Sequence, residues 1–156
     1  HHRDIGVIEL DPNDGEAAPG RRIGCRTYLE QAGIPWSTVH VAVGHGTTRD
    51  GYAAASRLLT DHPWLTGLVC GNDRMAMGAY AAIREQGLRV REDVAVIGID
   101  DQELIADQVH PALTTVALPF EEMGQVAVSH LLALMEGEEA PAETLLPGTI
   151  IRRSSA

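Results

Sequence analysis

The sequence predicts an α/β fold, in which a parallel sheet carries helices on both of its faces. Short apolar runs typical of buried strands recur along the chain, and most are followed by a longer stretch with helical spacing. Strand-helix-strand units of this length form right-handed crossovers between parallel strands. The chain has 156 residues, which is about the length of one domain. We therefore expect a three-layer α/β/α architecture.

The first four strands are marked by apolar runs that turn residues or helical stretches separate. They are predicted at 5–10 (IGVIEL), 37–44 (STVHVAVG), 66–71 (TGLVCG) and 93–100 (DVAVIGID). The helices that follow them are predicted at 21–32, at 48–63, from the end of the third strand to Gly87, and near 102–108. Gly33 and Pro63 end the first two of these helices. A loop rich in Pro, Gly, Asn and Asp separates the first strand from the first helix.

The pattern changes after Pro111. The segment LTTVALP is typical of a further strand, and residues 121–136 place apolar side chains at helical spacing. That stripe contains Met123, Val126, Ala127, His130, Leu131, Leu134 and Met135. The acidic segment EGEEAPAE is predicted to be a surface loop. TLLPGTIIRR is predicted to be a last strand that Pro147 and Gly148 interrupt.

The charged residues exclude several classes of function. The formal net charge is −10, and all twelve basic residues are arginines. A negative charge of this size repels phosphate backbones, so we expect these residues not to bind nucleic acid themselves. The absence of Lys argues against P-loop proteins and several aspartate-phosphorylating folds. No apolar run is long enough to span a membrane and no secretion signal is visible, so the expected location is cytoplasmic, without a membrane partner.

Polar side chains stand where two strands end and where the first helix begins. Asn72 and Asp73 follow the third strand, Asp100 and Asp101 follow the fourth, and Arg21 opens the first helix. Ligands of parallel α/β sheets bind beyond the carboxyl ends of the strands, and adjacent strands lie about 4.8 Å apart. We therefore expect these groups to share one site if the third and fourth strands are neighbours.

Two interpretations of these five residues remain open. Asp73 and Asp101 are expected to cap the helices that follow them. Asn72 and Asp100 then either make hydrogen bonds within their loops or contact a ligand, and Arg21 either forms a surface ion pair or contacts the same ligand. A guanidinium donates to oxygens, a carboxylate accepts from hydroxyls and an amide does both. A polyhydroxylated ligand requires this set of groups.

Several motifs resemble those of the LacI/GalR family of transcriptional regulators. GNDRMAMGAYAAIREQGLRVREDVAVIGIDD is similar to the central signature of that family, and LTTVALPFEEMGQVAVSHLL and LLPGTIIRRSS are similar to its closing segments. HHRDIGVIEL and RRIGCRTYLEQAGI are similar to its second effector-binding lobe. The resemblance implies a periplasmic-binding-protein-like lobe that binds a small effector, usually a sugar or nucleobase, and forms a homodimer. DNA would be bound only through a head domain that this sequence lacks.

The resemblance also implies a division of the chain. Residues 1–112 correspond to the second lobe, 113–137 to a strand and helix that belong to an absent first lobe, and 138–156 to a segment that returns to the second lobe. With the first lobe absent, we expect the helix at 121–136 to pack on a neighbouring copy; disorder or a swapped position is the alternative.

The effector-binding residues that the resemblance implies are Arg21, Asn72 and Asp100. One position departs from the family: many relatives have an aromatic residue where this chain has Gly46, and apolar sugar faces pack on such rings. A simple pyranose effector is therefore not implied. His45 either substitutes for the ring or is a solvated loop histidine, and Phe120 is a candidate for an apolar wall of the site.

Residues 75–83, MAMGAYAAI, contain no charged side chain. A helix on a sheet requires only one apolar stripe, so a helix that is apolar all round is covered twice. Either the core of this chain covers both sides, or a second subunit covers the outer face through a two-fold contact, as the family resemblance implies. The second alternative predicts an interface formed by Met77, Tyr80, Ala81, Leu104, Ile105 and Gln108.

Two other functions are compatible with the fold class. A solute-binding protein of a transporter shares the core fold, but the quoted motifs resemble the regulators more closely. An enzyme could hold Mg²⁺ with the carboxylates of Asp11, Asp14, Asp73, Asp100 and Asp101. Phosphoryl-transfer sites of this shape usually add a lysine, and the chain has neither a nucleophile elbow nor a histidine pair at metal spacing. We therefore expect no catalytic residue, no metal and no cofactor.

Overall fold

Six strands form one mixed sheet in the computed structural model, which describes residues 2–13, 15 and 17–156. In chain order they are β1 (Ile5–Leu10), β2 (His40–Gly44), β3 (Gly67–Cys70), β4 (Ala95–Asp100), β5 (Thr114–Ala117) and β6 (Thr149–Ile151). Their order across the sheet is β2-β1-β3-β4-β5-β6. The first five run parallel, and β6 is antiparallel to β5. The prediction that the third and fourth strands are neighbours is confirmed.

Four α-helices accompany the strands, and a 3₁₀ turn at Trp36–Thr38 precedes β2. They are α1 (Ala17–Gln31), α2 (Thr48–Asp61), α3 (Asp73–Glu85) and α4 (Phe120–Met135). The first helix includes residues before the predicted start at 21. Its Pro19 lies in the first turn, where a helix leaves N–H groups unpaired, so the proline that indicated a loop is tolerated there. Within the described residues, no helix is long and apolar enough to cross a membrane.

Helices cover both faces of the sheet, as predicted. On one face α2 and α3 pack over strand side chains that include Ile8, Leu68 and Val96, all of them buried. On the other face Ile5 and Val7 of β1 pack with side chains of α1 and of the segment that leads to β2. Alternate side chains of a strand point to opposite faces, so β1 contributes to both cores. The architecture is therefore three-layered.

The helix predicted near 102–108 is not formed, and turns occupy the segment instead. The N–H groups of Ile105 and Ala106 both bond to the Gln102 carbonyl, and those of Gln108 and Val109 both bond to the Ile105 carbonyl, so two turns follow each other. The Ala106 carbonyl, which a helix would use for a bond one turn later, accepts instead from the Leu113 N–H, just before β5. The chain therefore returns to the sheet instead of extending a helix.

The segment at 113–137 was expected to belong to an absent first lobe, but its strand lies in this sheet. β5 pairs with β4 on one side and with β6 on the other. The helix of the same segment differs, because no residue of α4 is buried. Its exposed large apolar side chains are those of Phe120, Met123, Val128, Leu131, Leu132, Leu134 and Met135. β5 therefore belongs to the sheet of this chain, and the assignment of α4 to a first lobe stays a prediction.

The five parallel strands all end at one edge of the sheet. Leu10 is aligned with Gly44, Ile8 with Cys70, and Asp100 with Ala117. The loops that follow these strands therefore converge at this edge, where ligands of open parallel α/β sheets bind. We refer to it below as the carboxyl edge.

Candidate functional site

An arginine and an aspartate form an ion pair at the carboxyl edge. Arg21 Nη2 donates to Asp100 Oδ1 at 2.8 Å, and Nη1 donates to the Gly71 carbonyl oxygen. The two side chains are 22% and 15% exposed, so the pair is screened from water but not sealed from it. Arg21 lies in the second turn of α1, and Asp100 is the last residue of β4. The structure thus joins two of the three residues for which the family resemblance implies an effector role.

Asn72, the third of these residues, caps α3. Its Oδ1 accepts a hydrogen bond from the Met75 N–H at 2.8 Å, and its Nδ2 donates to the Gly46 carbonyl at 3.0 Å. The residue is buried. The capping role that we predicted for Asp73 therefore belongs to Asn72. A primary amide has two N–H donors, so Nδ2 retains one beyond the Gly46 bond.

Asp73 is completely buried and joins two other parts of the chain. Its Oδ1 accepts from the Thr115 hydroxyl at 2.6 Å, and its Oδ2 accepts from the Gln102 N–H at 2.8 Å. Burial raises the pKa of this carboxyl, and the two hydrogen bonds oppose that rise. Asp73 is the first residue of α3 but not its cap, because its carboxylate is turned toward β5 and the turn after β4.

Asp101 does not cap a helix either. Its Oδ1 lies 2.7 Å from Arg153 Nη1, and the same nitrogen donates to the Leu113 carbonyl. The residues after β6 are therefore tied to the turn that follows Asp100. The prediction for Asp101 was wrong because no helix follows it. Sequence reasoning missed Arg153, because no local pattern relates residues so far apart in the chain.

The loop between β2 and α2 carries the glycine that replaces an aromatic ring. Gly46 has a φ of 75°, which favours glycine, and a Cβ there would lie 3.2 Å from both Asn72 Nδ2 and a Leu10 methyl group. An aromatic residue at this position would require a different backbone. The neighbouring His45 side chain is 64% exposed, with its Nδ1 4.0 Å from Asp11 Oδ2. His45 therefore lies at the rim of the site, and its role toward a ligand stays a prediction.

Phe120 is the first residue of α4 and follows the last residue of β5, Ala117, after Leu118 and Pro119, at the same edge of the sheet. Its ring is 60% exposed. An exposed aromatic ring has an apolar face that a sugar or a planar base can contact. Its position is compatible with the predicted apolar wall, which stays a prediction.

Glu9 is a second residue that sequence reasoning did not single out. It lies on β1 beneath α1, is 5% exposed, and has Arg22 Nε at 3.5 Å from its Oε1. No described group forms a hydrogen bond with that oxygen. A cavity of about 40 Å³, which is the space of a water molecule or slightly more, lies against Glu9, Arg21 and Gly71. The charged residue within the otherwise apolar run IGVIEL was the feature of the sequence that could have indicated it.

The described residues show no metal centre. No group of three or more His, Cys, Asp or Glu side chains in that part of the chain could hold a metal ion. Of the carboxylates considered for Mg²⁺, Asp73 and Asp101 are engaged by a hydroxyl, an amide and an arginine. Asp14 lies outside the described residues. The arrangement around Arg21 and Asp100 instead offers donors and acceptors for hydrogen bonds to a neutral polar molecule.

The outer face of α3 exposes fewer residues than were predicted for the dimer interface. Met77 and Ala81 are exposed there, and in the following turns Leu104 is 88% exposed and Gln108 is also exposed. Two members of the predicted interface are not on the surface of this chain. Tyr80 is buried in the core, where its hydroxyl donates to the Pro111 carbonyl at 3.0 Å and burial raises its pKa to about 12.

Ile105 is the other exception, because its side chain packs inward from the turn at 9% exposure. Tyr80 and Ile105 are therefore removed from the predicted interface. Most of α3 is covered by this chain's own core, since α2 packs on one side and the sheet on the other. Burial from both sides thus accounts for most of the uncharged run at 75–83.

Comparisons with known proteins match this chain to one family over its whole length. The model of the periplasmic binding protein-like domain matches residues 1–156. The chain is 38% identical over 159 residues to the HTH-type transcriptional repressor PurR of Yersinia pestis, and a PurR of Yersinia pseudotuberculosis gives the same identity. Both alignments cover 99% of this chain and 46% of the relative. The chain thus spans less than half the length of these repressors.

Solved structures agree with the sequence comparison. The Lac repressor bound to ONPG has a TM-score of 0.91 and 31% identity, over 99% of this chain and 46% of that one. A LacI family regulator from Enterococcus faecium with bound ribose has a TM-score of 0.84 and 28% identity, over 99% of this chain and 56% of that one. The chain therefore belongs to the periplasmic binding protein-like domain family, and it corresponds to part of the effector domain of LacI-type regulators.

Proposed function

We propose that this chain is the effector-binding and dimerisation portion of a LacI-type transcriptional regulator, and that a small polar molecule binds at the carboxyl edge. The observation that carries the proposal is the half-screened pair of Arg21 and Asp100. It puts a fixed donor next to a fixed acceptor at the edge where ligands of such sheets bind. The resemblance to repressors supports a regulator more than a transport protein.

The chemistry of the edge favours a sugar, a polyol or a nucleobase-like molecule. Arg21 retains N–H groups that can donate to ligand oxygens, and Asp100 retains acceptor capacity on Oδ2 for a hydroxyl or an N–H. The free N–H of Asn72 would add a donor. Phe120 would contact an apolar face of the ligand, and His45 would contact it from the rim. Ribose in a related regulator from Enterococcus faecium supports this class of ligand.

The regulatory step of the proposal requires the first lobe and a DNA-binding head. The exposed apolar side of α4 would pack on the first lobe, and the effector would bind between the lobes. It changes the equilibrium only if it binds one lobe arrangement more tightly than the other. The resulting hinge motion would reposition two DNA-binding heads on their half-sites in the cytoplasm. No catalytic step is part of this proposal.

Dimer formation is proposed through the outer face of α3. The residues assigned to this contact after the two corrections are Met77, Ala81, Leu104 and Gln108, all of them exposed in the single chain. An exposed leucine and methionine beside small and polar residues suit a two-fold contact, in which the same patch meets itself.

A ligand screen on the complete gene product tests the effector site. Thermal shifts are measured with ribose, other sugars, polyols, nucleobases and nucleosides, and the compound with the largest shift is titrated by calorimetry. Asp100→Asn and Arg21→Met are expected to weaken its binding by about ten- to a hundredfold, since each removes a charged hydrogen-bond partner.

The matched control for this screen is Asp107→Asn. Asp107 is exposed and its carboxylate is bonded only by the side chain of the neighbouring Gln108 among its described contacts, so this variant is expected to bind the same compound with unchanged affinity. Equal affinity of the wild type, Asp100→Asn and Arg21→Met for a compound that binds would show that the site lies elsewhere. A screen without any binding compound would contradict the proposed ligand class.

A further inference from the structure

The buried carboxylate of Asp73 joins three parts of the fold next to the candidate site. It belongs to α3, it accepts from Thr115 of β5 through Oδ1, and it accepts from the Gln102 N–H through Oδ2. Gln102 lies two residues after Asp100, in the turn that leaves β4. Neither the proposed ligand contacts nor the helix cap, which is Asn72, uses Asp73. A buried carboxylate is costly unless its oxygens are hydrogen-bonded, so its two bonds must hold in the folded chain.

The backbone around Asp73 is built to admit this carboxylate. Gly98 of β4 faces it, and a Cβ on Gly98 would lie 2.2 Å from Asp73 Oδ1. That distance is far inside van der Waals contact, so β4 requires a glycine where the carboxylate passes. The oxygens therefore pass next to Gly98, where β4 has no side chain, and reach Thr115 of β5 and the Gln102 amide. Any other residue type at this position would block them.

The turn that Asp73 holds is strained. Asp100 has φ of 116° and Asp101 has φ of 53°, and neither is a glycine. Positive φ is unfavourable for residues other than glycine and persists only where surrounding contacts fix it. The fixing contacts are Arg153 on Asp101 at 2.7 Å and Asp73 on the Gln102 N–H at 2.8 Å. The turn is thus held at two consecutive residues directly after Asp100.

We propose that Asp73 is a positioning residue of the effector site, which fixes the turn at Gln102 so that the Asp100 carboxylate faces Arg21. This inference rests on the proposed function for its meaning, but the geometry it concerns exists without a ligand. Release of the Gln102 amide lets the strained turn relax toward negative φ. Asp100 Oδ1 then leaves Arg21, and of the guanidinium's bonds to described residues the one to the Gly71 carbonyl remains.

The test measures how well Arg21 is protected in the complete gene product without any effector. Phenylglyoxal, which modifies arginine side chains, is the probe, and peptide mass spectrometry gives the rate at each arginine. Asp73→Ala removes both hydrogen bonds and is expected to raise the rate at Arg21 about two- to tenfold, the change expected for the loss of one net hydrogen bond. Arg89 is the internal reference, because its pair with Asp93 lies at a different part of the chain.

Two further variants separate positioning from general stability. Thr115→Val removes only the bond between Asp73 and β5, so it lowers the melting temperature but is expected to leave the Arg21 rate unchanged. Asp73→Asn is expected to restore protection, because its amide oxygen can accept from the Gln102 N–H while its nitrogen donates to the Thr115 hydroxyl. Hydrogen exchange on the wild type is expected to show the Gln102 amide protected like the amides of α3.

Three results would overturn the proposal. These are an Arg21 rate in Asp73→Ala equal to that in Thr115→Val, a parallel rise at Arg89, and rapid exchange of the Gln102 amide in the wild type. The last result applies even if Asp73→Ala fails to fold. Because no effector is present in any arm, failure of the ligand screen leaves this test intact, and failure of this test leaves the ligand screen intact.

Discussion

Three carboxylates near the carboxyl edge have different surroundings, and these decide what each can do. Asp100 is partly exposed and paired with Arg21, so it keeps acceptor capacity for a ligand. Asp73 is buried with both oxygens bonded within the chain. Glu9 is buried, and its Oε1 has no hydrogen bond from a described residue and lies 3.5 Å from Arg22 Nε. Only the first is suited to direct ligand contact, and the third is a source of instability.

Glu9 leads to a prediction about stability and pH. Burial raises the pKa of Glu9 above its ordinary value of 4.5, and Arg22 opposes the rise. A raised pKa means that the folded chain holds this proton more tightly than the unfolded chain, so stability falls as the pH rises through the range above 4.5. Glu9→Gln removes this charge. We expect it to raise the free energy of unfolding by roughly 1 kcal/mol at pH 7–8, which raises the melting temperature by about 2–4 °C. The rise at pH 4 is expected to be smaller.

The control for this prediction is Glu30→Gln on α1. Glu30 is half-exposed and paired with Arg26 one turn earlier, so its replacement is expected to change the melting temperature little at either pH. Thermal unfolding of both variants from pH 4 to 8 checks the prediction. A gain for Glu9→Gln that does not depend on pH would assign the effect to packing instead of charge.

At the scale of residues, the sequence predicted positions better than roles. Arg21 and Asp100 were predictable, because strand ends and helix starts of a parallel sheet converge at one edge. The sequence did not predict that Asn72, and not Asp73, caps α3. Asn and Asp are equally good caps, and a shift of one residue in the start of the helix decides which of them takes this role. The partners of Asp101 and Asp73 lie far along the chain, where no spacing rule applies.

The contact between α2 and α3 depends on two glycines. A Cβ on Gly51 would lie 2.2 Å from the Met75 carbonyl oxygen, and one on Gly78 would lie 2.1 Å from the Thr48 carbonyl oxygen. The two helices therefore touch through their backbones where they cross. This close approach is what lets α3 be covered by α2 and the sheet together, which leaves a narrow outer face.

Gly51→Ala is expected to force these helices apart. The added methyl group meets backbone atoms that cannot rotate away, so we expect a loss of stability of about 1–3 kcal/mol or more. Gly24→Ala is the matched control: it is also a glycine within a helix, but nothing lies within 4 Å of its added Cβ. That variant is expected to gain about 0.5–1 kcal/mol. Denaturant unfolding measures both, and losses of equal size would contradict the packing account.

At the scale of elements, hydrophobic patterns located most strands and helices to within a few residues. The start of α1 was missed because Pro and Gly are turn signals in most contexts but are tolerated in a first helical turn. The sequence predicts a helix near 102–108, where the structure has turns. The competing bond from Leu113 to Ala106 is set by the return to β5, which is a tertiary effect.

At the scale of the whole molecule, the proposed function assigns partners to two exposed apolar surfaces. One is the outer face of α3 with the turn at Leu104, and the other is the exposed apolar side of α4. The proposed function assigns the first to a second subunit and the second to the first lobe. Both assignments come from the family, since a single chain does not encode which of its apolar patches meets which partner.

Met77→Asp is expected to weaken the proposed dimer. It puts a carboxylate into a two-fold contact, where it meets its own copy or an apolar surface and is repelled or desolvated. Analytical ultracentrifugation of the complete gene product is expected to show a shift from dimer to monomer, with the dissociation constant of the dimer raised about tenfold or more. Tyr28→Asp, at an exposed position on α1 across the sheet, is expected to leave the dimer unchanged. A dimer that resists Met77→Asp would place the interface elsewhere.

We propose above that Arg21 and Asp100 together hold the effector at the carboxyl edge. The most direct measurement is a crystal structure of the complete gene product with the strongest-binding compound of the ligand screen. We expect ligand oxygen or nitrogen atoms within about 3.2 Å of both the Arg21 guanidinium and the Asp100 carboxylate. Density for the compound at a site that contacts neither side chain would contradict it.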